Sequence, residues 1–212
     1  RTLMDPARHT VRVASISKTF TWTAAMQLVE RGQLDLDADV DTYLRDYQVP
    51  EAFGAPITMR HLMNHTAGFE ERDVVDDMVV SDAARMQSIL EYLRDDPPAR
   101  VRPPGEISAY SNYGAALAGY VVESVAGVPF ASFVETNILA PLRMDHTTFR
   151  QPLGADNPDA MSPELEALGA QSYRTEAGRF RPAPFYLMPA APAGALRSTA
   201  SDMSRYMLAL LG

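Results

Sequence analysis

Apolar residues recur at helical spacing along most of the chain, and that periodicity limits the fold more than any other feature of the sequence. Ile16, Phe20, Ala24 and Leu28 fall on one face of a helix expected over about 15–31, with Ala25 and Val29 beside them and Gly32 as a stop. The stretch "TFTWT" inside it alternates like a strand and is rich in threonine, but the following "AAMQLVERG" carries the helical reading. A short helix is expected over 58–68, capped by Thr58 and ended near Gly68. Another is expected over 82–94, built on Met86, Ile89, Leu90 and Leu93. A Pro-Pro-Gly turn at 103–105 precedes a helix carrying Tyr113, Ala116, Leu117, Tyr120, Val121 and Val125 and closed by Gly127. The next helix starts near Pro129 and stops before Pro141, and residues 151–192 read mostly as loop. A final helix has Met203, Tyr206, Met207, Leu210 and Leu211 on one face and opens at Ser198 or Thr199. Strand signals are few. At 212 residues the chain is most simply one domain or a large piece of one.

Composition excludes several functions. A formal net charge of −8 without a basic cluster argues against a nucleic-acid partner. No apolar run approaches a membrane span. With no cysteine there is no disulfide framework, zinc–thiolate site or cysteine nucleophile. Two metal motifs are weak. His61 and His65 stand i, i+4 on one helix but lack H-E-x-x-H and an obvious third ligand. "DLDADVD" (35–41) looks like a calcium loop, yet Val40 occupies the position that needs glycine. No metal and no cofactor is therefore expected. G-x-S-x-G is absent, which argues against an α/β-hydrolase.

The 19 basic residues comprise 18 arginines and a single lysine, Lys18, three residues after Ser15 in "ASISKTFTW". Residues three apart share a helix face, so hydroxyl and amine can meet. A serine hydroxyl is a weak nucleophile until a base takes its proton. A neutral amine can take it and a guanidinium cannot. Bringing a lysine from its reference pKa to near neutrality takes roughly 4 kcal/mol, which burial and a helix N-terminus both help supply. The bland alternative is a surface lysine without a role. "AYSNYG" supplies Tyr110, whose hydroxyl can relay protons, and Asn112, whose amide can bind a substrate amide and hold a lysine.

S-x-x-K followed by Y-S-N resembles the serine β-lactamase and penicillin-binding-protein family, in particular the class C β-lactamase, DD-peptidase and family VIII esterase group. "HLMNHTAGF" (61–69), "PPGEISAYSNYG" (103–114), "ILAPLRMDHTTF" (138–149) and "APAGALRSTASDMSRYMLALL" (191–211) resemble further stretches of that family, in order and at fitting intervals. The resemblance implies an α/β (α+β) serine β-lactamase/transpeptidase-like fold. The chain, 1–212, would cover mainly its central, mostly helical part, with the N- and C-terminal sheet strands missing. It makes Ser15 the nucleophile, Lys18 its proton partner, Tyr110 an acid/base toward the leaving group, and Asn112 a residue that binds substrate and orients Lys18. His65 falls where the family has a structural histidine. The Ser15 backbone N–H would form half of an oxyanion hole, and an acyl-enzyme on Ser15 would be released by water. The family's K/H-T/S-G motif is absent from the chain. The site as given is thus expected to be incomplete, at a cost on the order of 10²–10³ in rate for one lost oxyanion donor. Arg143 stands where the family usually has glycine, a departure that bears on the local turn.

The expected partner is a small-molecule or peptide substrate bearing an amide, peptide or ester, with oligomeric state open. A periplasmic, extracellular or membrane-associated location is what the resemblance favours. The competing reading is a catalytically silent scaffold or peptide-binding module, which would have no chemical need for intact S-x-x-K and Y-S-N.

Overall fold

The structure, a computed structural model, describes residues 3–70, 79–95, 97–154 and 156–212. It is mostly helical with two small antiparallel ladders. Strand β1 (Val11–Arg12) leads through a tight 3₁₀ turn at Ala14–Ile16 into α1 (Ser17–Glu30), which ends at Arg31 with Gly32 at φ +68°. The threonines that read like a strand are absorbed into the helix. Thr19 and Thr23 donate back to the carbonyls of Ile16 and Thr19, and Thr21 donates to Pro192 O on a neighbouring element.

Helix α2 (Met59–Met63) is capped by a reciprocal pair, Thr58 Oγ1 accepting from the His61 N–H and His61 Nδ1 from the Thr58 N–H. It stops well short of the expected Gly68, because Asn64 closes it and His65 turns left-handed at φ +57°. The single helix expected over 82–94 is two pieces. A 3₁₀ turn at Ala83–Arg85 breaks where Met86 becomes extended, and α3 (Ile89–Asp95) restarts behind a Ser88–Glu91 pair of reciprocal hydrogen bonds.

Helix α4 (Asn112–Ala126) runs from a Ser111 cap to left-handed Gly127 and is buried continuously from Tyr113 to Val122. It packs against α1, whose Phe20, Ala24, Ala25 and Leu28 are its inward face. Helix α5 (Phe130–Val134) continues as a π-helical turn at Glu135–Leu139 before Pro141. Arg143 then takes the turn at which the resemblance implies a glycine. It does so at φ +54°, with its carbonyl accepting from the Arg205 guanidinium.

The 151–192 stretch is more ordered than a loop. It contains α6 (Pro163–Ala167) and an exposed hairpin of β2 (Tyr173–Glu176) and β3 (Arg179–Pro182), and runs at its end into α7 (Ala191–Gly194). The hairpin turns on Ala177 and Gly178, both at positive φ, a signal easily lost among flanking prolines and glycines. β4 (Arg197–Ser198) pairs with β1, placing Arg12 opposite Arg197. Helix α8 (Ala200–Leu211) is capped by Thr199. It buries Asp202 and Tyr206, while Met207, Leu210 and Leu211 of its expected apolar face are exposed. Tyr206 stacks on Phe20 at 3.8 Å and its hydroxyl meets Thr23 Oγ1 at 2.7 Å, so the last helix is locked onto the first.

Candidate active site

Ser15 lies in the 3₁₀ turn, one residue after Ala14, whose φ of +49° is in the left-handed region. An L-residue there costs on the order of 1–2 kcal/mol, and specific bonds hold it. The Val13 N–H donates to Leu196 O at 3.0 Å. The Ser17 hydroxyl donates to Ala14 O at 2.6 Å and accepts from the Leu196 N–H at 3.1 Å. Leu196, just before β4, and Ser17 therefore clamp the bend that presents Ser15 at the surface.

Lys18, one turn further, is only 4% exposed. Its Nζ lies 2.7 Å from Asn112 Oδ1, 2.7 Å from Ala193 O and 3.3 Å from Ser15 Oγ. Asn112 is brought there as the first residue of α4, behind the Ser111 cap. Ala193 O is brought there by α7, which is pressed against α4. A Cβ on Gly119 would lie 2.2 Å from Pro192 Cγ, so glycine permits the approach. Tyr110, 47% exposed, donates its hydroxyl to Ser15 Oγ at 2.6 Å, and its ring centre stands 4.7 Å from Lys18 Nζ. All four residues expected from the sequence, Ser15, Lys18, Tyr110 and Asn112, thus meet at one point.

Two further groups support this cluster. Ala193 contributes a backbone carbonyl, for which no side-chain pattern could have served as a signal. His65 supports the Tyr110 loop from beneath. Its Nδ1 accepts from the Ser111 N–H at 3.1 Å, its carbonyl accepts from the Ala109 N–H at 2.7 Å, and its ring lies 4.6 Å from that of Tyr110. Trp22 meets the same imidazole edge-on. Burial first, and then the nearby charge of Lys18, push His65 below the ordinary histidine pKa.

The metal-like motifs have other uses here. His61 Nδ1 is engaged in capping α2 and His65 Nδ1 in holding Ser111. In the aspartate run, Asp35, Asp39 and Asp41 accept from the backbone N–H groups of Asp37, Asp41 and Val49, and Asp37 pairs with Arg60.

A serine oxygen held between a phenol and a buried amine, with the amine fixed by two acceptors, is an arrangement able to move a proton off the serine and onward. Comparison with known proteins agrees in kind. The family model described as Beta-lactamase matches residues 4–212. Penicillin-binding protein 4* of Bacillus subtilis is 30% identical over 137 residues, which cover 64% of this chain and 29% of that protein. Among solved structures, the octameric penicillin-binding protein homologue from Pyrococcus abyssi superposes with a TM-score of 0.72 at 30% identity, over 95% of this chain and 44% of that one. The D-amino acid amidase from Ochrobactrum anthropi SV3, complexed with L-phenylalanine amide, superposes at 0.76 with 25% identity, over 100% of this chain and 57% of that one. The chain thus spans less than a third of the length of the curated relatives it matches and about half that of the structural ones.

Proposed function

Because this chain belongs to the Beta-lactamase family, whose model matches nearly its whole length, we propose that it carries the nucleophile of a serine hydrolase acting through an acyl-enzyme on Ser15. The bond cleaved would be an amide, peptide or ester. The observation that carries the reading is the position of Ser15 Oγ, 2.6 Å from the Tyr110 hydroxyl and 3.3 Å from Lys18 Nζ.

The proton path follows from valence. A neutral amine has two N–H bonds and one lone pair. In the neutral form that the transfer requires, Asn112 Oδ1 and Ala193 O, which can only accept, would take the two N–H bonds and the lone pair would be left for Ser15; the resting charged amine would first have to give up its third proton. In this reading Ser15 Oγ attacks the substrate carbonyl carbon while its proton passes into the Lys18–Tyr110 pair. Collapse of the tetrahedral adduct breaks the bond to the leaving group, which takes the proton from Tyr110. Water then enters, gives a proton back through the same pair, and frees the acid from Ser15. Asn112 serves both to fix Lys18 and to offer its amide to the substrate. The Ser15 N–H contributes one donor to the oxyanion.

The D-amino acid amidase among the structural relatives makes a D-amino acid amide the first substrate to try. A fluorophosphonate or penicillin probe, followed by intact-mass and peptide spectrometry, tests the reading directly. The expected result is one adduct, on Ser15, absent from Ser15→Ala. Hydrolytic activity with no adduct at Ser15 would overturn it.

A further inference from the structure

Arg12 and Arg197 face each other across the β1–β4 ladder, and Arg197 is only 7% exposed. Like charges directly opposite on neighbouring strands repel, and a buried guanidinium calls for a counter-charge. Among the described residues neither arginine is in an ion pair. Glu166 acts on Arg197 only from a distance, and Arg12 turns to Tyr186, donating from Nη2 to its carbonyl oxygen at 2.7 Å and interacting with its side chain, neither of which is a carboxylate. Arg12 Nη1 and Arg197 Nε are buried donors with no partner.

The surroundings are built for these two groups. The Phe185 ring lies 5.1 Å from the Arg12 guanidinium carbon and 5.3 Å from that of Arg197, and the Tyr186 ring lies 4.4 Å from Arg12. A Cβ on Gly169 would come within 2.3 Å of Arg197 Nη2, so that guanidinium rests on bare backbone. Aromatic faces attract cations but do not neutralise them. The aromatic roof is itself open to solvent, Phe185 being 42% and Tyr186 40% exposed.

We propose that Arg12 and Arg197 form a binding site for a small organic carboxylate, bridged between the two guanidiniums beneath Phe185 and Tyr186. Two orphan donors, one on each arginine, match the two oxygens of a carboxylate. The further oxygens of a phosphate would need donors that an aromatic roof does not offer. Arg12 lies three residues before Ser15, at most about 11 Å along the backbone. Arg197 lies four residues after Ala193, whose carbonyl meets Lys18. The site thus adjoins the nucleophile without including it, and its occupancy does not depend on what Ser15 does.

The test reads binding. The protein is titrated with sodium acetate, with acetamide as the uncharged isostere and with sodium chloride at equal ionic strength, by calorimetry and by thermal unfolding. Acetate should bind saturably and raise the melting temperature, and acetamide and chloride should not. Arg12→Gln, at the more exposed of the two positions, should weaken acetate binding at least about tenfold. Arg197→Lys, which keeps the charge but loses the fork, should weaken it as well. If Arg12→Gln does not fold, Arg12→Lys carries the same expectation. Equal effects of acetate and chloride, undiminished binding in the folded variants, or tighter binding of inorganic phosphate would overturn the proposal. So would an aspartate or glutamate of the same protein found seated on both guanidiniums.

Discussion

At the scale of single residues, the geometry around Lys18 Nζ separates an amine from a guanidinium. Two acceptors and one hydroxyl surround a nitrogen that is almost wholly buried. Arginine in that space would keep its proton and crowd all three partners. Lys18→Arg should therefore lower turnover by about 10²–10⁴-fold, and Lys18→Met by a similar factor, with circular dichroism showing a retained fold. Wild-type-like turnover by either variant would remove Lys18 from the mechanism. His65 carries a second prediction. Its folded-state pKa is lowered by burial and by the charge of Lys18, so folding favours the neutral ring. That contribution is fully present above the unfolded value of about 6.5 and is lost as pH falls from there through the folded value, where the protonated ring can no longer accept from Ser111. His65→Asn keeps a side-chain acceptor and tolerates positive φ. Melting temperatures between pH 5 and 7.5 should fall more steeply with acid for the wild type than for this variant. Parallel curves would show that His65 is not the titrating group.

At the scale of elements, the site is a junction of α1, the turn before it, the start of α4 and the end of α7. The Lys18 acceptor on α7 is in place because α7 rests on the bare backbone of α4 at Gly119. Gly119→Ala would set a methyl against Pro192, costing about 1–3 kcal/mol in stability and shifting Ala193 O away from Lys18. We expect kcat to fall more than substrate affinity does, measured by steady-state kinetics beside urea unfolding. An unchanged kcat would mean that α7 gives way without moving the carbonyl. Helix positions were largely legible in the sequence, because α4 and α8 open on Ser111 and Thr199 caps and α1, which has no side-chain cap at its start, still shows helical spacing up to Gly32. Boundaries set by a single residue were not. Met86 breaks one helix and His65 ends another through local dihedral angles that no hydrophobic pattern encodes. The hairpin at 173–182 escaped for a related reason, since every residue in its strands is exposed and none alternates toward a core.

At the scale of the whole molecule, distant parts of the chain converge on one nucleus. Phe20 from α1 stacks on Tyr206 from α8 and meets Phe149 edge-on, with Phe130 behind. β1 and β4 tie the same two regions together beside it. Tyr206→Ala would leave a cavity next to a fully buried Phe20 and take from the Thr23 hydroxyl one of its two hydrogen-bond partners. The expected loss is about 3 kcal/mol or more in unfolding free energy, measured by urea denaturation. A loss under about 1 kcal/mol would mean that α8 is not part of the cooperative unit. The four side chains at the centre of the site were legible because their types are chemically distinctive: a lone lysine at one turn from a serine, and a tyrosine and asparagine at a helix start. The support was less so, because it consists of a backbone carbonyl, a bend at Ala14 and the backbone bonds of His65, a residue whose spacing from His61 looked like a weak metal motif and for which the resemblance implied only a structural role. Convergence of sequence-distant segments is what places them, and spacing along a chain does not reveal it.

The isolation of Lys18 also has a practical side. Within residues 1–212 it supplies the only side-chain amine, and the fold covers it. Within this stretch an amine-acylating reagent has no other lysine to find, and the burial of this one holds it back until the packing around it loosens. The rate of acylation of the Lys18 peptide, kept apart from that of the N-terminal amine, is therefore a built-in clock for breathing of the site that needs no introduced residue.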